Sequence, residues 1–592
     1  MPRGRRQAAP VPSGPGSGRP RPAGILAPTR VTLLVLAGGG AAVVAMMSEG
    51  RLGSRDPHTT DPSSWWGILP SAASSDTARG VLAGLAALGI ITLCLCWGGL
   101  VRATIAGRTS PRAALAAWIV WSLPFAVGPP LFSRDIYAYA AQGELARLGL
   151  DPATHGVSAL LTAEGSGSAF VRAVDPRWWN THAPYGGAAV TVEKSAAALG
   201  GGPAGTVALL KIVAILATIA MVVLTLRLAG PEPGRRALVM VLVAANPVVV
   251  VHLIGGAHLD ATAAALLVAA LVVDRRRLAS APAPGPEGRS TPTARQAALG
   301  AAATALVSVA GSVKATALLG VAWLVLAHLR AARSARRPIR AGAVLLAADA
   351  AAVALAAGLS MVAGGFGPTW IHALSTSGTL TTGTAPASIL AAAVDGVDGM
   401  LGPVGRHPSG AETQRATRAL CLAGAALVVA WLALRAWRDR DGYTGRRHDL
   451  IVLGYGGLAV ALGSPVLYPW YLALCLPALA VVVALARSTP PTPHPGTARP
   501  RTPGMQPRRM RRLGAAVERI VGGVGGWTIA LVVVTSAWLC LTTLAPLAAT
   551  WRLLGRVETS LAVIGCAGLA AAGTVITLVA IRRRHATPTR RR

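Results

Sequence analysis

The sequence predicts an all-α polytopic membrane protein, and three observations carry that expectation. Of 592 residues, 53% are hydrophobic and only 13% are charged. With a mean hydropathy of +0.53, the chain is too apolar for a soluble globular enzyme. The apolar residues also come in blocks of roughly 17–25, the length needed to cross ~30 Å of hydrocarbon. Finally, the formal net charge of +33 would suggest a nucleic-acid partner in a soluble protein, but here the arginines fall between the blocks. That placement is a signature of membrane topology and argues against nucleic acid.

Taken in order, residues 1–30 are rich in Arg, Pro and Gly without periodicity, and are expected to form a disordered basic cytoplasmic tail. The apolar run 31–47 has no small-residue cleavage site behind it (Met46-Met47-Ser48-Glu49), so it is expected to remain as a first span. Further spans are expected at 80–101, 113–128, 205–228, 237–253, 257–273, 296–311, 315–329 and 341–363. After these come 416–436, 450–462, 468–486, 527–549 and 561–581. The hydropathy and length criterion thus gives about 13–14 transmembrane helices.

The domain organisation follows as a transmembrane core over 31–486, a Pro/Arg-rich cytoplasmic linker over 487–512, C-terminal transmembrane helices within 513–581 and a basic tail at 582–592. With the N-terminus cytoplasmic, the arginine-bearing connections 102–112, 227–236, 274–295, 330–340, 435–447, 487–512 and 582–592 all fall on the cytoplasmic side. The positive-inside rule is then satisfied along the whole chain. Lysine stands only at 194, 211 and 314; a GC-rich coding sequence explains most of that bias. Cys94, Cys96, Cys421, Cys475, Cys540 and Cys566 lie in apolar runs and read as small core residues, not disulfides or metal ligands.

The opposite side carries 49–79, 129–203, 364–415 and several short turns. In the stretch 129–203, Arg134–Leu148 has an amphipathic pattern that stops at Gly149, as an interfacial helix along the membrane surface would. Residues 364–415, rich in Gly, Thr, Pro and Ser, read as a flexible external loop. On this topology one surface collects Arg134, Asp135, Tyr137, Tyr139, Trp178, Trp179, His182, Tyr185, His252, His258 and Asp260. Lys194, Lys211, Lys314 and the interrupted run Gly463–Tyr471 map there too, and such an interruption is tolerated at membrane depth only against protein or a polar cavity.

Ordinary structural roles compete at each position. Asp135 could cap the helix that follows it. Tyr137, Tyr139, Trp178, Trp179, Trp470 and Tyr471 could form an interfacial aromatic belt. Lys211 and Lys314 could snorkel from helix ends. His258 and Asp260 lack zinc spacing. Asp349, on the inner half of its span, has no assigned role beyond pairing with a neighbour.

The ordered blocks LFSRDIYAYAAQG, THAPYGGAAV, NPVVVVHLIGGAHLDA, GSVKATALL and SPVLYPWYLA resemble the polyprenol-phosphomannose-dependent α-1,6-mannosyltransferases of actinobacterial cell envelopes, members of the GT-C superfamily. The resemblance runs from about Leu131 to Tyr471, and its most specific block is the one around Asp135. The pattern departs at Gly187, where a proline is expected, and at Leu259, where an asparagine is expected.

The resemblance implies a GT-C-type bundle. It also implies that Asp135 is the catalytic base, acting in the first large external loop on the outer face of the plasma membrane. The reaction it implies is inverting transfer of mannose from polyprenyl-phosphate-mannose to a lipid-linked α-1,6-mannan of lipomannan type. Substrate contacts are expected from Arg134, Tyr137, Tyr139, Gln142, Trp179, His182, Tyr185, Lys211, His258, Asp260, Lys314, Trp470 and Tyr471. A polyprenyl phosphate is already a good leaving group, so one base suffices, and cations would stabilise the departing phosphate. No cofactor is called for, and the spacing of the carboxylates leaves a divalent ion open. The competing readings are a related transferase using another polyprenyl-phosphate sugar such as arabinose, a lipid or sugar flippase, and a non-catalytic scaffold. A flippase would place ionisable groups near mid-membrane and show repeat symmetry.

Overall fold

The computed structural model describes residues 29–52, 75–162, 167–280, 292–335, 337–377, 382, 384–401, 410–438, 445–487 and 524–542. Residues 1–28 of the expected tail 1–30, residues 488–512 of the expected linker 487–512, the expected span 561–581 and the tail 582–592 lie outside the described residues. The described chain is built from helices. In order they are α1 (Arg30–Gly50), α2 (Asp76–Ile105), α3 (Pro111–Val127), α4 (Asp135–Arg147), α5 (Gly167–Ala173), α6 (Gly187–Gly200) and α7 (Pro203–Ala229). They continue with α8 (Pro233–Ala244), α9 (Val248–Gly255), α10 (Asp260–Ala279), α11 (Ala294–Val313), α12 (Ala315–Ala332) and α13 (Pro338–Gly364). The last are α14 (Trp370–Ser377), α15 (Pro386–Leu401), α16 (Gly410–Arg438), α17 (His448–Gly463), α18 (Leu476–Arg487) and α19 (Val524–Thr542).

Seven of the described helices, α1, α2, α7, α11, α12, α13 and α16, are long and apolar enough to cross a membrane, and the protein is a multi-pass membrane protein. The bent pair α8–α9 would make an eighth. Other expected spans are shorter or interrupted. α3, α17 and α18 are short apolar helices, and the expected span 468–486 begins with a 3-10 turn at Pro469–Leu474 before α18. α10 carries Asp260 at its start and Asp274 to Arg277 near its end, which breaks its apolar run. Residues 364–415 are not simply a loop: α14 and α15 lie within them, the second opening on the apolar run after Pro386.

α8 and α9 are bent by 54°. Pro247 removes a backbone donor at the break, and Asn246 answers the loosened backbone. Its side-chain oxygen accepts from the Val248 N–H at 2.9 Å, while its amide donates to the Leu242 carbonyl at 3.1 Å and to Ser536 Oγ at 2.9 Å. Ser536 lies on α19, so the last described helix is tied to the core.

Buried ion pairing joins the far ends of the central helices. His328 of α12 makes contacts of 2.8 Å with Asp349 of α13 and 3.3 Å with Asp274 of α10. Arg277 also bonds Asp274, and Thr304 of α11 donates to Asp349 at 2.7 Å. Asp349 thus has a structural place: buried charges persist when paired and hydrogen-bonded, and this network fastens four helices together.

Candidate active site

The site is built where the segment before α4 meets the turn between α9 and α10. Ile136 to Ala146 of α4 are all buried, and small residues let α4 lie close against its neighbours. A Cβ at Gly143 would stand 2.2 Å from the Glu193 carbonyl oxygen of α6. α6 in turn lies close to α13, where a Cβ at Gly187 would stand 2.1 Å from the Ser360 carbonyl oxygen. The Gly187 that replaces an expected proline is therefore a close backbone crossing.

Asp135 opens α4 without capping it. The N-cap residue Arg134 makes no side-chain cap bond, and Ser133 Oγ accepts from the Asp135 N–H at 3.2 Å. Its side chain is about one-quarter exposed and lines a cavity of about 230 Å³. Burial pushes its carboxyl up from the ordinary 3.8 to about 6, while Lys314 and the Ser133 hydroxyl oppose the rise.

The cavity walls bring together Asp135, Tyr139, Gln142, His182, Tyr185, Lys314, Trp470 and Tyr471. Tyr139 and Tyr185 meet edge to face with ring centres 5.4 Å apart. Lys314 stands at the break between α11 and α12, where its backbone is extended. Its ammonium lies 3.2 Å from Asp260, 4.5 Å from the centre of the Tyr471 ring and 5.8 Å from that of Tyr185. Asp260 is nearly inaccessible and sits behind Lys314. His258 lies behind the wall with its Nδ1 3.7 Å from Asp135 Oδ2.

Other expected contact residues stand elsewhere. Lys211 of α7 is buried and donates to the Gly128 carbonyl at 2.5 Å, at the end of α3. Trp179 donates its indole N–H to the Val174 carbonyl at 3.1 Å, and its neighbour Trp178 faces the cavity instead. Tyr137 is buried in the apolar cluster around α4, and Arg134 is not part of the cavity wall.

Tyr468, Thr181 and Ser464 join the wall although the sequence did not single them out as contacts. For Tyr468 the signal was its place in the interrupted run Gly463–Tyr471, which the structure turns into an aromatic stack. Tyr468 and Trp470 stack at 4.5 Å and 8°, and Trp470 and His258 at 3.6 Å and 15°. Among the described residues no group of three His, Cys, Asp or Glu is placed to hold a metal ion.

A carboxyl raised by burial to about 6 that opens into a cavity beside a cation and aromatic rings can accept a proton from a bound hydroxyl. The ammonium can meet negative charge developing nearby. Residues 34–330 match the family described as alpha-(1->6)-mannopyranosyltransferase, N-terminal domain. The chain is 32% identical to alpha-(1->6)-mannopyranosyltransferase A of Mycobacterium tuberculosis, over 67% of this chain and 70% of that protein. It is 28% identical to alpha-(1->6)-mannopyranosyltransferase B of Corynebacterium glutamicum, over 61% of this chain and 57% of that one. No solved structure gives a significant match. The chain belongs to the α-(1→6)-mannopyranosyltransferase family.

Proposed function

We propose that this protein transfers mannose from polyprenyl-phosphate-mannose to a lipid-linked α-1,6-mannan at the outer face of the plasma membrane, with Asp135 as the general base. The observation that carries the reading is the Asp135 carboxyl set in the cavity wall beside Lys314 and the tyrosine rings. Family membership supports mannosyl transfer. The span pattern and the arginine distribution support an outward-facing site with both termini cytoplasmic.

In the reaction, Asp135 takes the proton of the acceptor hydroxyl as its oxygen bonds to the anomeric carbon. The bond from that carbon to the phosphate oxygen breaks, and the polyprenyl phosphate leaves with the electron pair. Attack opposite the leaving group inverts a β-mannosyl phosphate to an α-mannoside. Lys314 is the cation nearest Asp135 in the cavity wall and would steady the departing phosphate, and Tyr185 and Tyr471 offer rings against which a sugar can pack, whereas the faces of Trp470 are taken by His258 and Tyr468. Asp260 holds Lys314 in place through their 3.2 Å pair.

The test is mannose transfer in membranes from a host lacking the activity, supplied with polyprenyl-phosphate-mannose and an α-1,6-mannoside acceptor. The wild type should make an α-linked product, and Asp135→Asn at matched expression should lose activity by ~100-fold or more. An inactive wild type overturns the donor assignment, and a fully active Asn variant overturns the base assignment.

A further inference from the structure

The two segments that meet at the site share a backbone feature. Among the described residues only two non-glycine residues have left-handed backbone, Phe132 at φ 60° and Ala257 at φ 55°. Such a conformation is disfavoured outside glycine and persists where surrounding structure enforces it. Phe132 lies three residues before Asp135, and Ala257 immediately precedes His258. The two segments are also bonded to each other, the Leu131 N–H donating to the Gly255 carbonyl at 3.3 Å. Two turns in a disfavoured conformation are thus tied together, and each delivers one ionisable side chain to the same point.

The imidazole delivered there is held tightly. His258 is fully buried, and its ring lies flat on Trp470, which is itself stacked on Tyr468. Gly256 makes room for it, since a Cβ there would stand 3.0 Å from the ring. Both ring nitrogens are buried without a hydrogen-bond partner, although buried polar groups are ordinarily paired. The Asp135 carboxylate stands 3.7 Å from Nδ1. That is slightly beyond hydrogen-bond range, a common state for such contacts before substrate tightens them.

We infer that His258 is a positioning residue for Asp135: its Nδ1–H donates to the Asp135 carboxylate when substrate fills the cavity, fixing the base towards the acceptor hydroxyl. The inference rests on the reading of Asp135 as the base and adds the group that aims it. Donation to the carboxylate stabilises its ionised form and fixes which oxygen faces the acceptor, so the benefit falls on kcat rather than on binding. The aromatic stack keeps the imidazole from following the carboxylate when it moves.

Stacking and donation can be separated by substitution. His258→Phe keeps a flat ring on Trp470 but removes the N–H, whereas His258→Gln gives up the ring and retains an amide N–H donor. The full-length protein in membranes would be assayed for mannose transfer as wild type, His258→Phe, His258→Gln and Asp135→Asn, with the amount of folded protein measured for each. The inference requires His258→Phe to lose kcat by about tenfold or more with KM within a few-fold of wild type. His258→Gln must then recover a substantial part of kcat per folded molecule.

The reverse order, with Phe active and Gln impaired, makes His258 a packing residue and overturns the inference. Equal loss in both variants also overturns it, because a donor alone then rescues nothing. The Asp135→Asn result separates the two levels. If that variant stays active, the base assignment falls and the pair falls with it; if it is dead while Phe is active, only the pair falls.

Discussion

Replacing Asp135 with asparagine should destroy activity and strengthen the fold, and the size of the second effect follows from the site. An unfolded chain releases this proton near the ordinary carboxylate value, whereas in the folded protein burial holds it up to about 6. Between those pH values the folded state binds more protons than the unfolded state. The contribution of this group to stability therefore declines as pH rises through that window and stays at its lowered level above it. A rise from 3.8 to about 6 corresponds to up to about 3 kcal/mol lost at neutral pH. Asparagine has nearly the shape of the protonated acid and carries no charge. Thermal unfolding of the purified protein in detergent should therefore show Asp135→Asn with a higher Tm than wild type at pH 7.5 and an unchanged Tm near pH 4. An Asn variant less stable than wild type at pH 7.5 would refute the reasoning, because it would mean the ionised carboxylate is structurally satisfied where it lies.

The same proton gives an acid limb to catalysis: transfer should fall about tenfold per pH unit below about 6, as measured by initial rates from pH 5 to 8 at saturating donor. Lys314→Met should leave Asp260 as a buried unpaired charge and cost ~3–5 kcal/mol, read as lost monodisperse protein on size-exclusion chromatography. Adding Asp260→Asn to it should recover folding but not transfer. His328→Ala should take the imidazole from Asp349, which keeps the Thr304 hydroxyl, while Asp274 keeps Arg277; the cost of ~3–5 kcal/mol should lower folded yield while the surviving molecules keep a KM near that of wild type. Gly187→Ala should lower Tm through a cost of ~1–3 kcal/mol, because its methyl would meet the Ser360 backbone oxygen, which cannot swing away.

The sequence made some features legible because a single physical constraint wrote them into many residues. Hydrophobic blocks of membrane length are repeated all along the chain, so the helical multi-pass architecture needed no single residue to announce it. Asp135 drew attention because Arg134, Tyr137 and Tyr139 cluster with it just beyond an apolar run, in the most specific block of the resemblance, although a helix cap was an equally ordinary use for it. What stayed hidden depends on residues that meet only in three dimensions. Nothing in the spacing of Lys211 and Lys314 says that one turns to the Gly128 carbonyl and the other to Asp260. Trp178 and Trp179 are adjacent and chemically equal, and only the turn at Pro176–Trp178 decides which of them faces the cavity. The partner of Asp349 lies on a different helix. The left-handed backbone at Phe132 and Ala257 left no trace in residue type, since glycine would have been the conspicuous choice.

The bond from Asn246 to Ser536 sets an order of events during synthesis. The two residues are 290 positions apart, so the bend between α8 and α9 enters the bilayer long before its partner leaves the ribosome. Until α19 arrives, the Asn246 amide has the Leu242 carbonyl but not the Ser536 hydroxyl as a partner. The final described helix then acts as a closing latch on a core already inserted. Chains cut short of it would be expected to reach the membrane, remain unsealed there and become targets for proteolytic quality control.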